Sequence, residues 1–507
     1  MKLFTRKNFQ RALFILACLV TIVFLLWQFE NFRGRRAWEK HKAAALARGQ
    51  VVEAKDLIPP PIPDASNFAA IPLFKPLFDY APGTQKHKDE PAADKVLKYF
   101  DSMPQHYTST NLSASNSWIS GLVDVRLFVA GITNEQAAST DQTGAPLIPA
   151  KEAAMQTLTF LSRFDDALGQ MEQAASRPGS RFPIAYDSIP TALMPLPHLR
   201  VLRNASHALC VRSAARLELG QTEAAAKDIF LSWRLADSIR TEPIMISHLV
   251  RLAMINLSFQ PIADGISRGA WSDSQLEAFQ RQLLSTDLFP ELKKTIEGEI
   301  VLCGITSIDQ LCRGSVKSSF LDDSDRRILG YWPDGWYCLE MLNYHRLMNA
   351  FEEVVTDKPL IDPHAVEQIA ATNRKTLSSG PVRLILSHSI LSAILVPAVE
   401  RVVNRTSKMQ TGLYIAGLAC ALERHRRTHG SFPEALDPLH NLLGRPVPPD
   451  VIQGLPLLYR RDGTNSYILY SVGWDTRDDG GKIAVKKPGE ETDPPQDWVW
   501  RPVSRTN

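Results

Sequence analysis

His425 and His429 stand four residues apart in the run Glu423-Arg424-His425-Arg426-Arg427-Thr428-His429. On a helix that spacing puts both imidazoles on one face, as a zinc-binding pair requires. The zincin pattern also needs a glutamate directly after the first histidine, and Arg426 occupies that place. The three flanking arginines would repel a cation, so a solvated or packing role is expected for the pair. Asp165-Asp166 and Asp322-Asp323 are paired acids in polar settings. Either pair could do acid–base work, and nothing sets one carboxylate above the other. Asp322-Asp323-Ser324-Asp325 also suits the opening turn of a helix, where acids meet the positive end of the helix dipole. The turn Tyr331-Trp332-Pro333-Asp334-Gly335-Trp336-Tyr337 is rich in aromatic rings. It reads as a binding groove or, since aromatics dominate cores, as packing beneath a loop. The sequence holds no Gly-rich phosphate loop and no G-x-S-x-G, so no catalytic residue is assigned.

Whatever chemistry exists must be positioned by elements that begin at Ala12. Ala12 to Phe29 has only Thr21 and Gln28 as polar residues. At about 1.5 Å per residue the stretch spans about 27 Å, close to the hydrocarbon thickness of a bilayer. Trp27-Gln28-Phe29-Glu30 is a poor signal-peptidase site, and the apolar run continues past Cys18, which excludes a lipoprotein reading. An uncleaved signal anchor is therefore expected, with the short basic arm 1–11 cytoplasmic and the remainder exported. Basic residues crowd both flanks, so the charge rule alone does not set orientation. Net charge is +3, and residues 1–50 contribute +8, which leaves −5 for the rest. The basic excess is juxtamembrane, where it favours anionic head groups, and no basic stripe remains for nucleic acid. The six cysteines contain no CxxC and are too sparse for a disulfide scaffold. Isolated buried thiols are expected; in an exported body Cys303 and Cys312 would be the nearest pair.

Residues 30–56 read as a continuation of the anchor helix. Ala43 to Ala47 supply strong helix formers and Gly49 a plausible end. Residues 57–95 form a Pro-rich spacer, extended from Leu57 to Pro63 and kept irregular to about Lys95 by Pro72, Pro76, Pro82 and Pro91. Its Phe68, Ile71, Leu73, Phe74, Leu77 and Phe78 should lie along the surface of the body. Residues 96–405 read as an α-helical body. Its clearest unit is Asn204 to Arg240, two apolar-striped helices separated by Gly220. That unit resembles a single tetratricopeptide repeat, without a second copy at the 34-residue period. Ser272 with Gln275 is a capping box that opens another helix. Val382 to Val396 is a second apolar run of fifteen residues that carries Arg383 and His388 and ends at Pro397. It is too short for a span and reads as a core helix.

Residues 406–485 read as a small α+β module. A helix from about Lys408 to Thr428 is followed by Gly430, a strand from Leu455 to Arg460, the turn signal Asp462-Gly463 and a returning strand from Ser466 to Gly473. An acidic, Gly-rich loop comes next, Trp474-Asp475-Thr476-Arg477-Asp478-Asp479-Gly480-Gly481. The tail 486–507 is rich in Pro and charge; Trp498-Val499-Trp500 docks on the body, or the tail is disordered.

The helix exit His425 through Pro433, the apolar hairpin and Tyr470-Ser471-Val472-Gly473-Trp474-Asp475 together resemble the C-terminal half of type II secretion major pseudopilins. That resemblance implies a calcium loop, with Asp475, Asp478 and Asp479 as ligands carried over by position; hard oxygen donors suit calcium. In a pseudopilin the anchor leads directly into this module, after a prepilin-peptidase site. Here some 380 residues intervene and no such site precedes Ala12. As a whole the layout resembles uncharacterised membrane-anchored bacterial proteins with a helical body.

The fold class expected is thus mainly α: one transmembrane helix, an irregular helical body and a small C-terminal α+β module with an antiparallel hairpin. The function expected is a non-catalytic envelope protein that binds the bilayer through 12–29 and unidentified envelope proteins through its body. A secretion or pilus accessory protein is the second reading. A hydrolase whose site is assembled from distant helices is the third.

Overall fold

The apolar run and the Ala-rich stretch after it form one uninterrupted helix, α1 (Arg6–Ala47), in the computed structural model, which describes residues 6–81, 86–104, 118, 123–133, 148–186, 194–314, 329–396, 398–463, 466–483 and 496–502. The helix is long and apolar enough to cross a membrane. From Phe9 to Phe29 every side chain is exposed. Thr21 returns its hydroxyl to the Ala17 carbonyl at 2.8 Å, so its polarity is absorbed inside the helix. Beyond Glu30 the character changes. Gly34, Trp38 and Ala45 become buried, with His41 half-buried between them, a stripe at helical spacing that faces the body. Gly49, at φ +76°, ends the helix.

The Pro-rich segment that follows lies in the core rather than along its outside. Leu57, Phe68, Ile71, Leu73, Phe74 and Leu77 are all buried. The segment keeps its backbone satisfied through short 3-10 turns and one side chain. Asn67 accepts the N–H groups of Ala69 and Arg181 at 3.0 and 2.8 Å and donates to the Arg181 carbonyl. The Arg234 guanidinium covers the Phe68 ring at 4.7 Å.

The body is built from packed helices, among them α2 (Pro197–Glu218), α3 (Thr222–Asp237), α4 (Met245–Ser267), α5 (Asp273–Ser285), α6 (Asp334–Val354), α7 (Pro363–Leu377), α8 (Pro381–Leu386), α9 (Ile390–Leu395) and α10 (Val399–His429). Helices α2 and α3 pair through the left-handed Gly220, as the sequence predicts. The capping box at α5 is present: Ser272 Oγ accepts from the Gln275 N–H, and Gln275 Oε1 accepts from the Ser272 N–H. Helix α10 begins nine residues earlier than the sequence suggests, because Val399, Val402, Val403 and Thr406 are buried and extend its apolar side. It is buried on all sides from Met409 to Arg424 and packs against α4 and α5.

Three strands form an antiparallel sheet in the order β1 (Leu458–Arg461), β2 (Tyr467–Ser471), β3 (Trp498–Trp500). Leu458 pairs with Tyr470, and Leu469 with Trp500. The sheet shares one hydrophobic core with the body, through Leu457, Tyr467, Leu469 and Trp500.

The apolar run 382–396 is not a single core helix. It breaks at His388, which adopts φ +50°, into α8 and α9. The polar triplet Ser387-His388-Ser389 supplies the break: Ser389 sends its hydroxyl to the Ser387 carbonyl, and local side-chain bonds of this kind compete with the helix. Of α8 no residue is buried.

Candidate functional site

Among the described residues, an extended set of polar contacts sits where α1 enters the body. The aromatic turn 331–337 receives it. Gly335 and Gly34 lie backbone to backbone; a methyl group on either would overlap main-chain atoms of the other helix. Around this crossing, Asn31 Oδ1 accepts the Gly335 N–H at 3.0 Å, and Glu30 accepts the Trp336 indole N–H at 3.1 Å. Arg35 pairs with Asp334 at 2.6 Å. Arg33 bonds Glu30 at 2.6 Å and lies 3.1 Å from His388 Nε2. The hydrogen bond from Arg33 holds the Glu30 carboxyl below the usual range, although burial works against it.

Two turns further along, His41 Nε2 and His345 Nδ1 are 3.2 Å apart, with the rings edge to face. One ring must donate and the other accept, so the contact needs at least one neutral imidazole. Burial holds His345 down to about 4, with His41 and Arg48 adding to it, and burial likewise lowers His41. Unfolded, His345 would protonate near 6.5. Its contribution is therefore fully present above that pH and is lost as pH falls toward about 4. We expect hydrogen-exchange protection of residues 34–47 to fall as pH drops from 7 to 5, at up to about 1.4 kcal/mol per pH unit. H345Q should flatten that dependence; protection unchanged in the unmodified protein across this range would refute the contact.

Helix α6 also holds a second element. Glu340, fully buried, accepts the N–H groups of Ile390 and Ser392 at 2.7 and 3.2 Å. Burial pushes its carboxyl up to about 7, against the lowering effect of those bonds. Asn343 donates to the carbonyls of Ser387 and His388 at 2.6 and 2.9 Å. One helix thus clamps both α1 and the α8–α9 hairpin.

The residues singled out by type and spacing are dispersed. His425 and His429 stack at 4.1 Å, and each ring uses Nδ1 on a backbone carbonyl, Ser431 and His425 respectively. The adjacent arginines are neutralised: Arg426 and Arg427 pair with the buried Glu423, and Arg424 with Asp273. Asp165-Asp166 opens a helix, and Asp165 lies 3.5 Å from Arg212. Asp322 and Asp323 fall outside the described residues. None of the six cysteines forms a disulfide.

In the acidic loop, Asp475 accepts the Arg477 N–H at 3.2 Å, and Asp478 accepts from the Gly480 N–H at 2.8 Å and the Tyr470 hydroxyl at 3.1 Å. Asp479 accepts the Gln496 N–H at 2.9 Å. Each carboxylate is thus engaged with donors of its own neighbourhood. Among the described residues no group of three His, Cys, Asp or Glu side chains is placed to hold a metal ion.

The polar clusters that the structure does assemble join residues the sequence never linked. His198 Nε2 lies 2.9 Å from Glu242, whose other oxygen accepts the Ser247 hydroxyl at 2.5 Å. The hydroxyl is directed at the acid rather than the imidazole, so His198 is not placed to take its proton. Arg251, 2% exposed, spans Asp237 and Glu291 at 2.8 and 3.0 Å. Burial raises Glu291 to about 7 despite this partner. Asp228 pairs with Arg212 and Arg216 at 2.7 and 2.8 Å. These partners sit on different helices or separate turns, and no local motif could have announced them. A cavity of about 640 Å³ is lined by Asp101, Arg200, Arg203, Asn204 and His207, and Arg200 is already paired with Asp101 at 2.5 Å. Comparison of the chain with family models, with curated proteins and with solved structures returns no match.

Proposed function

We propose that this chain is a membrane-anchored, non-catalytic protein of a bacterial envelope, held by Ala12 to Phe29 with its N-terminus cytoplasmic and its body exported, and that the helical body is a docking surface for another envelope protein. The observation that carries the reading is the unbroken α1, whose first half is exposed and apolar and whose second half is bolted to α6. A body joined this stiffly is held at a set height and angle, which suits a fixed platform for a partner. The interior supports the same reading. His198 and Ser247 both bond Glu242, Asp228 is engaged by Arg212 and Arg216, and Arg251 by Asp237 and Glu291.

The test is mild crosslinking on intact cells, followed by solubilisation and capture of the full-length chain. One dominant envelope partner is expected, together with cleavage of the body by protease added from outside. Capture of the chain alone at every crosslinker dose, or a body shielded from external protease, would overturn the reading.

A further inference from the structure

The α8–α9 hairpin is an anomaly within the body. Val382, Ile385, Leu386 and Ile394 are 69, 43, 76 and 54% exposed. A short helix that offers three bulky aliphatic side chains to water gains nothing from folding that way unless something apolar covers them. Its position indicates what does. The turn at His388 lies beside Arg33, four residues past the end of the apolar span, and the Trp336 ring lies 5.2 Å from the His388 ring. Phe32 on α1 and Tyr331 on the receiving turn are also exposed, at 63 and 78%. The exposed apolar surface of α1 therefore continues onto the hairpin. Arg33, Arg35, Arg36 and Arg383, on the same two elements, are exposed as well, the first two in ion pairs with Glu30 and Asp334.

We propose that the hairpin Pro381–Leu395 is a second membrane contact, lying in the interface of an anionic bilayer with Val382, Ile385 and Leu386 among the upper acyl chains and the arginines at the head groups. The inference rests on the anchored reading of α1 and adds to it a side: the body leans onto the bilayer on the face that carries α8. Interfacial elements bind in this way, through apolar burial and basic side chains together. Glu340 and Asn343 explain why the hairpin keeps its shape at that boundary, since they satisfy the N–H and C=O groups that a broken helix leaves open. The run is too short to span, and as an interfacial element it does not have to.

The test places a photo-crosslinking residue at Leu386 in the full-length protein, reconstituted in nanodiscs of phosphatidylcholine with or without phosphatidylglycerol. The same residue at Leu26 reports the anchor, and at Leu455, an exposed leucine of the C-terminal module, reports background. Lipid adducts at position 386 several-fold above position 455, and rising with phosphatidylglycerol, are expected. Adducts at 26 without adducts at 386 would sink the hairpin proposal and leave the anchor intact. No lipid adducts at either position would sink both. A protein adduct at 386, to a second copy or to another chain, would show that a protein covers the hairpin and would also overturn it.

Discussion

Asp228→Ala will be among the most destabilising single changes in the body, at about 3–5 kcal/mol, the usual cost of stripping one member from a buried ion pair. Asp228 is 1% exposed and meets Arg212 at 2.7 Å and Arg216 at 2.8 Å. Burial raises its carboxyl and the two arginines pull it back down, so the acid and the bases depend on each other. Removing the acid leaves the Arg212 guanidinium inside α2 and α3 with Asp165, 3.5 Å away, as its nearest remaining counter-charge. The exposed Asp165 can swing inward and recover part of the loss, which places the expectation toward the lower end of the range. Denaturant unfolding of the detergent-solubilised chain measures it. The double variant with Arg212→Met and Asp228→Leu should regain part of what Asp228→Ala alone loses, because the more buried guanidinium leaves with its partner and only the less buried Arg216 is left without the carboxylate. Equal losses in the single and double variants would show that packing, and not the stranded guanidinium, sets the cost.

Gly34→Leu should have a different kind of effect, local and structural. At the α1–α6 crossing a side chain at this position meets the Gly335 carbonyl group, and main chain cannot rotate out of the way. Overpacking of this type costs about 1–3 kcal/mol, or more where backbone is involved. The simplest relief is for α1 to lift from α6, breaking the Asn31–Gly335, Glu30–Trp336 and Arg35–Asp334 contacts together. Trypsin should then cut after Arg36, Lys40 or Lys42 in detergent while the rest of the body resists, and exchange protection of residues 34–47 should collapse. Gly34→Ala should give the same pattern in milder form. Wild-type cleavage and protection in Gly34→Leu would show that the crossing is not what fixes α1 to the body.

Neither glycine is conspicuous in the sequence. A lone glycine in a helix reads as a small propensity loss, and only the helix that crosses it reveals why a larger residue does not fit. What was legible depended on short-range physics. The apolar span, its continuation through Ala43 to Ala47, the Gly220 turn and the Ser272–Gln275 capping box are each written in neighbouring residues, and each is present. So is the hairpin, with Leu458–Arg461 pairing with Tyr467–Ser471. The α8–α9 run misled because mean apolarity hides a break made by Ser387, His388 and Ser389. The buried clusters were invisible for a related reason. His198 finds Glu242 across 44 residues, and Arg424 finds Asp273 across 151. Such partnerships belong to helix packing, and no spacing rule encodes them.

The uninterrupted α1 has a mechanical consequence. Under the anchoring proposed above there would be no swivel between lipid and folded mass, and the rod and its load would turn as one piece. Tilting of the embedded half would become a sweep of the far end, and free tumbling would be reduced to rotation about the bilayer normal. A binding patch on such a load would stay within one narrow layer above the lipid. Its encounters would then be a search across a plane, open to whatever shares that layer and closed to whatever lies above or below it.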